Sequence, residues 1–309
     1  MQKTLKTAVE FTGIGLHSGK NVRLVVRPAS AEYGVWFRRT DLTEGDTLIP
    51  ARWNAVSSTQ LCTKIENVDG ASVSTIEHIM AALAGCGVHN ALIDIDGPEV
   101  PVMDGSSAQF VQAFMTAGFQ ELSAPARMIE ILEPVTYSEG LASATLEPSE
   151  IFEIDFQIEF PDAAIGRQEK SLNMANGSFV RELCDSRTFC RKADIVAMQE
   201  QGLALGGDIA DMANAVVFDG SQVLTRGGLR HADEPVRHKM LDALGDLALA
   251  GAPIQGRYTG VRAGHGITNK LLRKLFATPS AFRMVTCSTE VAGRLPGVGV
   301  KQADLADVA

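Results

Sequence analysis

Apolar and polar residues alternate along IFEIDFQIEF, residues 151–160, and a period of two predicts a half-buried β-strand. RLVVRPA (23–29) and GVWFRRTD (34–41) combine β-branched and aromatic residues with flanking turn residues, and they read as strands too. The period changes to that of a helix at STIEHIMAALAG (74–85), where Ile76, Ile79, Met80 and Leu83 fall on one stripe. NALIDIDGPEVPVMDGSS (90–107) predicts a strand followed by a Pro/Gly-rich loop, and QFVQAFMTAGF (109–119) a helix. SAPAR (123–127) breaks the pattern and marks a boundary.

Strands resume after it in RMIEILEPVTYS (127–138) and ASATLEPS (142–149). The stretch from Asp185 to Asp208 reads as a strand end, a helix and a glycine turn, and AVVFDGSQVL (215–224) as a hairpin. PVRHKMLDALGDLALAG (235–251) is a strong helix, with Pro235 suited to its first turn. YTGVRAGH (258–265) and the helical NKLLRKLFAT (269–278) follow. Strands precede helices in both halves. The expected class is α+β, with small, mostly antiparallel sheets and packed helices. The expected domains are 1–123, carrying Glu77 and His78, and 124–309, carrying His238, Asp242 and His265.

Composition narrows the functional classes. The chain has 309 residues and a net charge of −9, which disfavours a nucleic-acid binder because phosphate contacts need clustered positive charge. The N-terminus lacks an apolar signal-peptide core, and no apolar run is long enough to cross a bilayer. The expectation is a cytoplasmic protein without stable membrane insertion. Five cysteines without CxxC spacing fit reduced thiols, so any metal has to be held by histidine and carboxylate.

Only six histidines occur, and two sit in similar settings. At about 100° per residue, His78 lies roughly 160–200° from the centre of its helix's apolar stripe. Burial against its own core therefore does not place it. The neighbouring Glu77 reads by spacing as a capping-box partner of Ser74. In the second helix Val236, Met240, Ala243, Leu244 and Leu247 form the apolar face. His238, Asp242 and Asp246 sit opposite at i, i+4 and i+8. An i, i+4 His/Asp pair can offer two ligands to one metal; the plain alternative is a solvated face. His265, in AGHG, reads as a loop histidine that Asp246 could orient. Lys239 is either a solvated charge or a phosphate holder. His17, among glycines, lines a pocket or a turn. His89 and His231 carry no constellation.

Taken in order, GIGLHSG, STIEHIMAALAG, PVMDGSS, SRTF, LALGG, PVRHKMLDALGDL and GH followed by TNKLL resemble the UDP-3-O-acyl-N-acetylglucosamine deacetylases, enzymes of lipid A synthesis in Gram-negative bacteria. The resemblance runs nearly end to end. It implies two similar α+β layers packed face to face, with the site at their interface and an acyl-chain insert near 188–219. It also implies one Zn2+ on His78, His238 and Asp242, with Fe2+ as an alternative. Glu77 would be the general base, and His265, supported by Asp246, the general acid. Thr188 would lie near the scissile carbonyl. Lys239, His17, Phe189 and Phe160 would hold substrate, and Cys62 would lie nearby without ligating. The partner implied is the UDP-linked acylated sugar, met by a monomer in transient contact with the inner membrane surface. Two departures fall in the insert and bear on acyl length: Cys190 and Arg191 follow RTF where the family often has an aromatic, and Asp208 follows Gly206 and Gly207 where many members have serine.

Two rival classes remain at this level. Two histidines and a carboxylate also form the facial triad of non-haem iron oxygenases, but those ligands usually come from strands and here all three lie on predicted helices. A nucleotide-sugar or lipid-binding protein without catalysis would leave both helix faces as solvated charge.

Overall fold

A computed structural model describes residues 1–207 and 214–305. Asp208 and the rest of 208–213 lie outside the described residues, so the second departure in the insert has no structural account.

The first half builds a five-stranded sheet in the spatial order Val9–Ile14, Asn21–Pro28, Ala91–Ile95, Val35–Arg39, Leu48–Pro50. Its pairs are antiparallel except Val35–Arg39 against Ala91–Ile95. Val56–Ser58, Lys64–Glu66 and Ser72–Val73 form a small antiparallel sheet, and Lys3–Leu5 pairs with Phe119–Glu121. The second half builds a seven-stranded sheet around Ile254–Val261. That strand runs antiparallel to Ala142–Glu147 and parallel to both Arg127–Ile131 and Phe152–Glu159. Phe189–Arg191, Val216–Asp219 and Gln222–Val223 form a separate three-stranded sheet. No strand ladder among the described residues crosses residues 123–124.

The helices are α1 (Glu77–Gly85), α2 (Ala108–Ala117), α3 (Ser178–Glu182), α4 (Lys192–Glu200), α5 (Glu234–Ala248), α6 (His265–Phe276) and α7 (Thr289–Ala292). The class is α+β, as the order of elements predicts. None of the helices is long and apolar enough to cross a membrane.

The alternation in Phe152–Glu159 is realised: Phe152, Ile154, Phe156 and Ile158 are buried, and the residues between them are not. Its neighbour Arg167–Asn173 is polar almost throughout. It escapes a pattern reading because its apolar content is too low to show a period.

One apolar cluster runs from Leu5 to Ala281 and takes in residues of both α1 and α5. These two helices come from opposite halves of the chain and pack against each other. Gly245 lets them approach closely, since a Cβ there would lie 2.0 Å from the carbonyl oxygen of Glu77. Because each helix is covered on all sides, its polar residues are buried as well: Glu77, His78, His238, Asp242 and Asp246 are each at most 5% exposed. The face opposite the apolar stripe is an internal face, and the solvated-face reading fails there.

Two local expectations need correction. The Ser74–Glu77 capping box is absent. Helix α1 begins at Glu77 itself, the Ser74 hydroxyl donates to the Pro98 carbonyl, and the Glu77 carboxylate accepts from the Thr63 amide. His265 is the first residue of α6, not a loop residue. Gly85 is the last residue of α1, set against the Phe179 ring, and the positive φ of 70° falls on Gly87.

Candidate metal centre and active site

Helix α1 supplies His78 and α5 supplies His238 and Asp242. One ligand atom from each of the three lies within 4.8 Å of the others. His238 Nε2 is 3.2 Å and His78 Nε2 3.6 Å from Asp242 Oδ1. The imidazole rings meet edge to face with centroids 5.0 Å apart.

The chemistry of these donors fits a cation. His238 Nδ1 lies 3.0 Å from the Ser186 carbonyl, which can only accept, so that nitrogen carries the proton and Nε2 keeps its lone pair toward the cluster. Burial pushes the His238 pKa down to about 4, which keeps the ring neutral. Asp242 is buried, yet His238 and Lys239 outweigh the desolvation and hold its carboxyl well below the usual carboxylate range. Lys239 donates to Asp242 Oδ2 at 2.7 Å, whereas Oδ1 is buried without a hydrogen-bond partner. An ionised buried oxygen left unpaired beside the His238 lone pair, with His78 Nε2 3.6 Å away, is what a divalent cation satisfies.

Glu77 and His265 face each other beside this cluster, with His265 Nε2 3.9 Å from Glu77 Oε1. Burial raises the Glu77 pKa against the pull of His265 and His78. His265 Nδ1 lies 2.8 Å from Asp246 Oδ2. Burial alone would lower the pKa of this ring, but the carboxylates of Asp246 and Glu77 outweigh it and push it up to about 9. The pair is thus a carboxyl made more basic and an imidazole that keeps its proton at neutral pH.

A cavity of about 330 Å³ opens over these groups. Its polar end holds Glu77, His78, His238, Lys239, Asp242 and His265, with His17 and Thr188 at the wall. The loop carrying His17 is pinned by the buried Glu99, which accepts from the amides of His17 and Ser18. His17 Nδ1 is buried without a partner. Thr188 is fixed by its amide, which donates to the Gly105 carbonyl at 2.7 Å. Phe189 stands edge-on to His238 at 6.3 Å and to Phe160 at 5.4 Å, and both aromatics line the cavity. Beyond them the wall turns apolar, with Leu16, Ile195, Met198, Ala204, Ala215 and Val217. Cys190 and Arg191 also line it, and Arg191 is ion-paired to Asp162.

The structure therefore gathers every residue that the sequence singled out for chemistry. Cys62 is buried next to the site. Desolvation, helped by Glu77, pushes its thiol up to about 12, and the cluster of mutually close donors among the described residues does not include it. Three residues escaped sequence reasoning. Ser186 orients His238, Glu99 holds the His17 loop, and Thr63 contacts both Glu77 and Asp246. Each acts on a partner far along the chain, and no spacing rule signals such a contact.

The family described as UDP-3-O-acyl N-acetylglycosamine deacetylase matches residues 2–277. A UDP-3-O-acyl-N-acetylglucosamine deacetylase of Phenylobacterium zucineum is 48% identical over 291 residues, covering 94% of this chain and 98% of that relative. Enzymes of the same name from Pasteurella multocida and Photobacterium profundum are 44% and 43% identical, each match spanning at least 92% of this chain and 93% of the relative. With a match of that extent laid over a buried His/His/Asp cluster, the chain belongs to the UDP-3-O-acyl N-acetylglycosamine deacetylases, a family of metalloenzymes.

Proposed function

We propose that the protein hydrolyses the N-acetyl amide of a UDP-linked 3-O-(3-hydroxyacyl)-N-acetylglucosamine. The products are acetate and the free amine, and the reaction is the committed step of lipid A biosynthesis. The observation that carries this reading is the convergence of His78, His238 and Asp242 within 4.8 Å, with Glu77 and His265 facing each other alongside.

His78, His238 and Asp242 hold one zinc ion, and iron(II) is the alternative that the same donors accept. When bound, the ion supplies Lewis acidity that lowers the pKa of water and polarises the amide carbonyl. Glu77 takes a proton from the attacking water as the new C–O bond forms. The amide carbon becomes tetrahedral, and its negative oxygen is stabilised by Thr188 and by protonated His265. His265 then gives its proton to the nitrogen as the C–N bond breaks, and Asp246 holds the ring in the orientation this requires. Lys239 and His17 hold polar parts of the substrate. Phe189 packs on the sugar, Phe160 lies toward the nucleotide, and the apolar end of the cavity takes the acyl chain.

One chain supplies every donor, so a monomer suffices. Residues 1–123 and 124–309 act as two domains that meet at α1 and α5, with an acyl-chain insert near 188–219. The enzyme works in the cytoplasm, and its amphiphilic substrate brings it into transient contact with the inner membrane surface. The test is acetate release from the UDP-linked acyl sugar, with and without chelator. Release that stops on chelation and returns with Zn2+ supports the reading. A purified, metal-loaded protein that releases no acetate refutes it.

A further inference from the structure

Thr63 stands where the two reacting side chains are joined from behind. It directly precedes the strand Lys64–Glu66 and is 1% exposed. Its amide donates to Glu77 Oε2 at 3.0 Å, and its hydroxyl donates to Asp246 Oδ1 at 2.6 Å. Its carbonyl accepts from the Ile76 amide at 3.3 Å, at the entry to α1. Asp246 Oδ2 takes His265 Nδ1 at 2.8 Å, and His265 Nε2 returns to Glu77 Oε1 at 3.9 Å. Thr63, Glu77, His265 and Asp246 thus close a ring whose only gap is between Glu77 and His265, on the cavity side.

One link of this ring, and its gap, join distant parts of the chain. The Thr63 hydroxyl and Asp246 are 183 positions apart. Glu77 and His265 lie on α1 and α6. A buried carboxyl group engaged at both oxygens, by the Thr63 hydroxyl and by His265 Nδ1, has little freedom to rotate. With Asp246 held at both oxygens, the His265 ring it accepts from is held too. Because Thr63 also grips Glu77 through its rigid main chain, the separation and angle between Glu77 and His265 are set by one residue.

We propose that Thr63 is a positioning residue for the deacetylation, fixing Glu77 and His265 relative to each other through its amide and its hydroxyl. This rests on the reading of Glu77 and His265 as base and acid. Thr63 is not among the residues that line the cavity, and the carboxylates it bonds are those of Glu77 and Asp246, not that of Asp242. Its effect is therefore expected in kcat, with substrate binding and metal content left alone.

The test uses the metal-loaded full chain. Thr63→Val keeps the shape and the amide but removes the hydroxyl. Its kcat is expected to fall by roughly 10–100-fold, the usual cost of losing an outer partner of a reacting group, with KM and metal equivalents as in the wild type. Thr63→Ser restores most of the loss. In an Asp246→Asn background the same Thr63→Val change is expected to cost little, because both substitutions break one linkage. If Thr63→Val does not fold, Thr63→Ala is put through the same comparison. Wild-type kcat in the hydroxyl-less variant overturns the proposal. So does loss of metal in step with activity, or a full additive cost beside Asp246→Asn. An inactive wild type overturns the proposed function itself, whereas an active wild type with an unaffected Thr63→Val overturns only the role of Thr63.

Discussion

His238 and His265 are both buried imidazoles, and their surroundings drive them in opposite directions. His238 sits among groups that leave desolvation dominant, and its pKa falls to about 4. His265 lies between Asp246 and Glu77, and its pKa rises to about 9. A neutral ring is a ligand and a charged ring is a proton donor, so different outcomes follow for two changes that look alike. His238→Ala is expected to lose metal affinity and activity together. His265→Ala is expected to keep its metal while kcat drops about 10²–10⁴-fold, the range for a lost general acid. Metal analysis of the purified variants beside acetate-release kinetics checks both, and equal metal loss in the two rejects the division of roles. The acid must carry its proton to act, so the rate should fall as pH rises through about 9. Asp246→Asn removes the largest charge that holds the proton, and it should move this alkaline limb to lower pH. At this scale the sequence was most legible where residues recur at helical spacing. The His238/Asp242/Asp246 series and the off-stripe position of His78 both marked candidate ligands, while leaving a solvated face open. The supporting contacts of Ser186, Glu99 and Thr63 were illegible because each runs through a main-chain atom and joins separate segments of the chain.

Between elements, the decisive contact is α1 on α5. Gly245 in mid-helix looks like a weakness in the sequence, since helix propensity alone favours alanine there by about 0.5–1 kcal/mol. The packing reverses that sign. A methyl at 2.0 Å from the Glu77 carbonyl oxygen has no room, and overpacking of this kind costs about 1–3 kcal/mol. Gly245→Ala should therefore lower the denaturation midpoint. Because the displaced backbone carries Glu77 and His78, it should weaken metal binding as well. A variant with a raised midpoint would show that α1 and α5 can separate freely. The same contact explains what the helix patterns could not say. Amphipathic stripes identified both helices, but the polar face reads as solvent-facing until a second polar face is known to cover it. Turn chemistry misled in the other direction. Ser74 and Glu77 have capping-box spacing, yet the Glu77 carboxylate goes to Thr63 and the Ser74 hydroxyl to Pro98. Among strands, Phe152–Glu159 announced itself by alternation, whereas Arg167–Asn173 pairs with it along its whole length and gives no apolar signal. An edge strand needs only main-chain partners, and main chains carry no pattern.

For the whole molecule, the seating of the two halves of the chain against each other at α1 and α5 has no sequence signature. Closure of the fold also involves a histidine that plays no part in the chemistry. His89 follows α1 and ties the first strand to the body of the protein. Its Nδ1 accepts from the Lys3 amide at 3.1 Å, and its own amide donates to the Lys3 carbonyl. Accepting at Nδ1 requires a neutral ring at that atom. Burial, with Lys3 and the N-terminal ammonium nearby, pushes the pKa of His89 down to about 4. In the unfolded chain the ring titrates near 6.5, so between these values the unfolded state binds more protons. The contribution is fully present above about pH 6.5, declines as the pH falls, and is gone below about 4. A shift of this size corresponds to about 3 kcal/mol across the window. His89→Gln keeps an acceptor without a titrating ring. Denaturant unfolding of the two proteins from pH 7.5 to 4 should show the wild type losing stability faster than the variant, with the difference accumulating between pH 6.5 and 4. Parallel curves would mean that the His89 ring is protonated without cost, and the tie to Lys3 would then have to survive the loss of its acceptor.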